Sequence, residues 1–366
     1  MTDTIPPPLA DRLLAAVIGA FEAAAVDLGD RLGWYRALSE RPATPSELAS
    51  RTGTDARYAR EWLEQQAVAG YLTVDDADAA ADERCYALPA EHRAVLVDEV
   101  DPMYTTPLAR MAMVLTRNVP RLAEVYRSGG GLSWAELGPD ARAAQAAANR
   151  PFFVGPLVTE VLPSLPDVHA ALRAGGRVAD VGCGMGWSSI GMASGYPTAQ
   201  VDGFDVDVPS VDQARLNAEE SGVADRVRFE VADVGDLAED RGYHLVTAFE
   251  CVHDMPDPVA VLSAMRRMVR PEGTVLVVDE KVAETFTAPG DEIERLMYGY
   301  SITCCLADSL STRPSVATGT VMRPSTLESY ARAAGFDGVD VLPVAHDFFR
   351  FYRLRHRPQA HPAAAP

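Results

Sequence analysis

The chain has 366 residues, 48% of them hydrophobic, and 33 basic against 52 acidic side chains leave a formal charge of -19. That length predicts two domains with a sizeable core, and that charge opposes a nucleic-acid partner while remaining compatible with a cationic small ligand. The five cysteines (Cys85, Cys183, Cys251, Cys304, Cys305) form no CxxC pair, so no metal site or redox pair is expected, and without a leader-like start or a membrane-length apolar run the expectation is a soluble cytoplasmic protein with no membrane partner.

From the N-terminus, apolar residues recur at helical spacing through Leu9, Leu13, Leu14, Val17 and Ile18. Thr44-Pro-Ser46-Glu47 opens a further helix, with a polar start and acid in the first turn, and Asp55 to Leu63 reads as the next after a turn at Gly53-Thr54. Gly70–Val74 and Arg84–Leu88 supply the two strands of a wing. Residues 1–100 therefore read as a winged-helix-like domain. They carry nine arginines, no lysine and eighteen acids, and the recognition helix sets Glu61 and Glu64 beside Arg57 and Arg60. Phosphates are poorly met by such a surface, so the expected role is homodimerisation or closure of a substrate pocket. A ligand-sensing transcriptional regulator is the alternative reading of the whole chain.

Residues 101–175 are expected to be a helical connector, interrupted at Gly129–Gly131 and marked by Pro151 and Pro156. From 176 to 355 short β runs alternate with helices, which predicts an α/β Rossmann-like sheet of seven mostly parallel strands. The strands are read at Arg177–Val181, Gln200–Val206, Val227–Val231, His244–Phe249, Thr274–Asp279, Val339–Val344 and Phe348–Leu354, the last two as an antiparallel hairpin. Helices are expected near 186–195, 209–221, 258–269, 291–310 and 325–334, and the tail 356–366 is expected to be disordered. The apolar stripe of 291–310 reads either as core or as a lid over an apolar acceptor.

Ligands of open α/β sheets bind beyond the carboxyl ends of the strands. The first strand runs into Asp180-Val-Gly182-Cys183-Gly184-Met-Gly186-Trp187, a loop whose missing side chains allow a ligand close to the backbone. A dinucleotide GxGxxG fingerprint starting at Gly182 requires glycine where Trp187 stands. The second strand ends in Asp205-Val206-Asp207; Asp205 is the candidate acceptor for ribose hydroxyls, and Asp207 is also suited to cap the following helix.

Over roughly 175–355 the chain resembles the class I S-adenosylmethionine-dependent methyltransferases, whose E/DxGxGxG loop matches Asp180, Gly182, Gly184 and Gly186, with Cys183 inside it. The resemblance implies S-adenosylmethionine as cofactor, its methionine end held by this loop. It also implies that Asp233 meets the adenine amino group with Val234 on the ring, while Val206 and Glu250 complete the cofactor set. The segment Glu250-Cys251-Val-His253-Asp254-Met255 after the fourth strand is similar to the His-Asp segment of plant and bacterial O-methyltransferases, which carry a winged-helix-like dimerisation domain. That implies His253 as general base in methylation of a small, largely apolar acceptor; Met255 departs from the family's usual tryptophan. Glu280, at the end of the neighbouring fifth strand, is placed to orient His253 or to pair with Lys281.

Overall fold

The computed structural model describes residues 7–237 and 242–356. The tail read from 356 onward thus lies, past His356, outside the described residues. The chain forms two compact units, residues 1–116 with 143–151 and residues 117–142 with 152–366, so the stretch read as a connector is divided between them.

The first unit opens with α1 (Leu9–Arg31), α2 (Trp34–Glu40), α3 (Pro45–Thr52) and α4 (Ala56–Val68), followed by the antiparallel pair β1 (Thr73–Val74) and β2 (Tyr86–Ala87). The helix starts follow local chemistry. Thr44 accepts from the Glu47 N–H while the Glu47 carboxylate accepts from the Thr44 N–H, and Asp55 accepts from Arg57 and Tyr58 at the start of α4. Trp34, Tyr35, Leu48, Leu63 and Tyr86 are fully buried between these elements. The arginines of α4 and of the wing are already paired with acids: Arg57 with Glu61, Arg60 with Asp82 and Arg84 with Glu64. By contrast, Leu9, Leu13, Leu14, Val17, Ile18 and Phe21 along the first half of α1 are all exposed.

The second unit is built on a seven-stranded sheet: β3 (Arg177–Val181), β4 (Gln200–Asp205), β5 (Val227–Val231), β6 (Tyr243–Phe249), β7 (Val269–Glu280), β8 (Gly338–Val341) and β9 (Phe349–Arg355). Their order is β5-β4-β3-β6-β7-β9-β8. Pairing is parallel from β5 to β7, and β9 runs antiparallel to both β7 and β8. Successive residues serve opposite faces, as a pleated strand covered on both sides requires. Val178, Leu245 and Leu276 join one core with Leu157, Ile190 and Phe351, whereas Ala179, Val246 and Val277 join the other with Leu262, Met265 and Leu327.

Most element ends fall within three residues of expectation, β8 for instance ending at Val341 in place of Val344, and two departures are larger. β7 starts at Val269, where the helix was expected to finish, because Met268 already ends the helix Pro258–Met268 and Val269 pairs with Tyr243. The expected helix 291–310 is three pieces: Glu292–Tyr300, a π-helical turn Ser301–Cys305, and Leu306–Ser309. Hydrophobic periodicity does not report an inserted residue within one apolar stripe.

Candidate active site

The glycine loop after β3 is fixed by hydrogen bonds to the end of β4. The N–H groups of Gly182 and Cys183 donate to the Phe204 carbonyl, and Gly184 N–H donates to Asp205 Oδ2 at 2.8 Å. Gly182, Gly184 and Gly186 all have left-handed backbone, with φ of 69°, 52° and 83°. A Cβ on Gly182 would lie 2.7 Å from Cys251 Sγ, whereas one on Gly184 would meet nothing within 4 Å. The first glycine therefore admits close packing behind the loop, and the second keeps open space at it.

Asp180 is wholly buried. It accepts from the hydroxyls of Ser188 (2.5 Å), Ser189 (2.6 Å) and Thr247 (2.9 Å), which tie the loop to the next helix and to β6. Burial raises its pKa, and the three hydroxyl donors work against that rise. Cys183 is likewise buried and belongs to the core through its side chain.

Asp205 stands at the carboxyl end of β4, with Oδ2 accepting from Gly184 and Oδ1 from the Asp207 N–H at 2.8 Å. Each oxygen has a second lone pair, so the carboxylate is both pinned and able to accept further donors. Burial raises its pKa, against these backbone donors. Val206 beside it is 67% exposed, an apolar side chain at the site's rim. Asp207 is the N-cap of the helix Val208–Glu220 and receives a bidentate pair from Arg142 at 2.6 and 2.7 Å. Asp233 is exposed and caps a short 3-10 turn through Gly235 N–H, while Val234 is buried in the core.

Beyond β6, Glu250 has a positive φ of 51°, held by its N–H donating to Val278 at 2.8 Å. A left-handed glutamate is a strained position of the kind concentrated at functional sites. The chain then turns His253 inward until it is 1% exposed. Nδ1 of His253 is 2.9 Å from Asp279 Oδ1 and 3.2 Å from Glu280 Oε2, and Nε2 is 3.4 Å from Asp254 Oδ1. Burial opposes charging this ring, but Asp279, Glu280 and Asp254 outweigh it and hold the imidazole pKa well above 6.5. Glu280 is pushed up to about 8, by burial first and by neighbouring Asp279 next among the raising causes, with His253 opposing.

β6 and β7 thus bring His253 and Glu280 together as neighbouring strands of the sheet. The reading of single residues missed Asp279, whose oxygen is the nearer one to Nδ1. It also missed Asp254, Cys305 and Asp308. Asp254 and Asp279 stand next to residues that were singled out, whereas Cys305 and Asp308 come from a segment read only for its apolar stripe. Among the described residues, two groups have metal-compatible donors within 4.8 Å: His253, Asp254 and Cys305, and His253, Asp279 and Glu280.

Residues 172–308 match a family model described as a methyltransferase domain, and residues 20–98 match one described as an Rv2258c-like winged HTH domain. The ubiquinone biosynthesis O-methyltransferase of Neisseria meningitidis serogroup C is 41% identical over 111 residues, which are 30% of this chain and 45% of that protein. The chain therefore spans less than half the length of that curated relative. Among solved structures, PigF with SAH has a TM-score of 0.73 at 21% identity, covering 96% of this chain and 100% of PigF. Human N-acetylserotonin methyltransferase in complex with SAM has a TM-score of 0.67 at 17% identity, covering 98% of this chain and 100% of that one. At these identities the likeness is one of fold. No helix among the described residues is long and apolar enough to cross a membrane.

Proposed function

We propose that this chain, a methyltransferase domain preceded by a winged helix-turn-helix domain, transfers the methyl group of S-adenosylmethionine to a hydroxyl of a small, largely apolar acceptor. The observation that carries the reading is the pairing of Gly184 N–H with Asp205 Oδ2 beside the open space at Gly184. A backbone without side chains and a pinned carboxylate suit a ligand that has both a chain to lay along the loop and hydroxyls to bond.

The residues present fit that cofactor. The loop Gly182–Gly186 would hold its amino-acid end, Asp205 its ribose hydroxyls, and Asp233 with Val206 and Val234 the adenine side, with Glu250 at the strained turn completing the set. When bound, the cofactor supplies a methyl carbon activated by a positively charged sulfur. Everything else falls to the chain: it must align an oxygen and take its proton.

His253 is read as the general base. Asp279 accepts the Nδ1 proton, so the neutral ring keeps its lone pair on Nε2, and the carboxylates that raise its pKa make that nitrogen a stronger base once its own proton has left. Glu280 acts through Asp279 and Nδ1 as a second positioning group. A base of this kind contributes typically ~10²–10⁴-fold, and alignment of the reactants can supply ~7–11 kcal/mol of the barrier. The segment 292–309 reaches this site through Cys305, whose thiol lies within 4.8 Å of His253 and Asp254.

The working form is read as a homodimer, with the apolar side chains from Leu9 to Phe21 of α1 covered by a second copy; an unpartnered stripe of this length marks an interaction surface. Calorimetric titration with S-adenosylmethionine and with NAD, followed by transfer of labelled methyl to a panel of phenols and alcohols, tests the proposal. Binding of S-adenosylmethionine and labelled product that disappears in His253→Ala are expected. Binding of NAD with no response to S-adenosylmethionine would overturn it.

A further inference from the structure

Cys305 has no part in the mechanism above, yet it lies against its central residue. The π-helical turn Ser301–Cys305 brings its thiol sulfur within 4.8 Å of a ring nitrogen of His253 and of an Asp254 carboxylate oxygen, and such turns recur at functional positions. His253, Asp254 and Cys305 each offer a donor atom within 4.8 Å of the others.

Four observations set this group apart from ordinary packing. Asp254 Oδ1 is buried and has no hydrogen-bond partner among the described residues. Its distance of 3.4 Å from His253 Nε2 is long for a hydrogen bond. It equals the edge of a tetrahedron with metal–ligand bonds of about 2.0–2.2 Å, which is roughly 3.4 Å. The other ring nitrogen faces Asp279 at 2.9 Å, the outer carboxylate that typically orients a ligating imidazole. The side chain of Asp254 is 33% exposed, so an ion has a way in.

We propose that His253 Nε2, an Asp254 oxygen and Cys305 Sγ form a site for a borderline-soft divalent cation, best matched by Zn²⁺. An N, O, S donor set with three protein ligands suits zinc, whose fourth position water can fill, and suits Mg²⁺ or Ca²⁺ poorly. The alternative group, His253 with Asp279 and Glu280, is the weaker candidate because the Nδ1 proton is already engaged there. On binding, the thiol proton leaves to solvent, together with the Nε2 proton if the ring is charged, and no electron moves. The bound ion takes the lone pair that a base needs, so zinc is an inhibitor; this consequence alone rests on the reading of His253 as general base.

The test uses the full chain, stripped with a chelator and titrated with Zn²⁺ by equilibrium dialysis, and with Co²⁺ as a spectroscopic substitute. One ion per chain is expected, with a near-ultraviolet thiolate-to-cobalt band. Cys305→Ser should abolish the band and weaken binding at least tenfold, and Asp279→Asn should weaken it ~10–100-fold. Circular dichroism and S-adenosylmethionine affinity of each variant establish that it is folded. Absence of saturable binding at one ion per chain overturns the site, as does a cobalt spectrum unchanged in folded Cys305→Ser. If metal binds as expected while His253→Ala keeps full turnover, the site stands and the general-base reading falls.

Discussion

His253 Nδ1 lies 2.9 Å from Asp279 Oδ1, with both side chains almost wholly buried. A carboxylate at that position can only accept, so it selects the tautomer with the proton on Nδ1. Asp279→Asn removes this selection, because an amide can turn its NH₂ toward the ring. Turnover should fall by ~10²-fold or more with S-adenosylmethionine affinity unchanged, while His253→Ala loses ~10²–10⁴-fold. Steady-state kinetics with labelled methyl donor, alongside cofactor titration, separates the two quantities. An equal loss of cofactor affinity would place Asp279 in the framework of the site and outside its chemistry.

Asp205→Asn should do the opposite. The amide has one acceptor oxygen in place of two, and both carboxylate oxygens already accept a backbone donor, Oδ2 from Gly184 and Oδ1 from Asp207. Losing hydrogen bonds to a charged group costs ~1.5–3 kcal/mol, which corresponds to ten- to a hundredfold weaker binding of S-adenosylmethionine. Turnover at saturating cofactor should change little. Calorimetric Kd values showing wild-type affinity would remove Asp205 from the cofactor site.

Most of the sheet was legible because strands buried on both faces are continuous apolar runs, and the loops after them carry the polar residues. The spacing from the glycine loop to Asp205 located one end of the site. The neighbourhood of His253 was less legible because its partners come from separate segments: Asp279 and Glu280 end β7, while Cys305 belongs to a π-helical turn. Adjacent residues of a strand usually face opposite sides. The end of β7 departs from that alternation, since Asp279 and Glu280 both reach Nδ1. Asp180 teaches a related point: its place in the motif is evident, but only the hydroxyls of Ser188, Ser189 and Thr247 reveal that its carboxylate braces the loop.

Gly182 and Gly184 separate two reasons for glycine in one loop. Both have positive φ, so alanine at either is strained by about 1–3 kcal/mol. Only at Gly182 does the added carbon also collide, 2.7 Å from Cys251 Sγ. Gly182→Ala should therefore unfold at a lower temperature than Gly184→Ala, whereas Gly184→Ala should lose cofactor affinity by filling the open side. Thermal melts with and without S-adenosylmethionine give both readouts, and equal melting points would discount the Cys251 contact.

Exposed Leu14, at 60%, and Phe21, at 71%, offer a direct probe of α1. A charge buried in an apolar interface without a partner is strongly unfavourable. If a second copy covers this stripe, Leu14→Glu with Phe21→Glu should shift sedimentation from dimer to monomer while leaving the circular dichroism of the chain intact. A wild-type chain that already sediments as a monomer at micromolar concentration would remove the dimer from the proposal.

Asp308 gives the pH dependence a definite sign. Burial, with nearby Asp254 adding to it, pushes its pKa up from 3.8 to about 7, although Oδ1 accepts the Trp134 N–H at 2.6 Å. The folded state thus binds this proton more tightly than the unfolded chain, whose value stays near 3.8. Its contribution to stability is fully present below pH ~4 and is lost as pH rises through the window up to about 7. Asp308→Asn keeps an acceptor for Trp134 and carries no charge, so it lacks that dependence. Urea unfolding should show the variant gaining on the wild type as pH rises from 4 to 8, with the change concentrated below the folded pKa of about 7. A difference that stays flat across the window, or that favours the wild type as pH rises, would mean that the Asp308 carboxylate is already ionised in the folded chain.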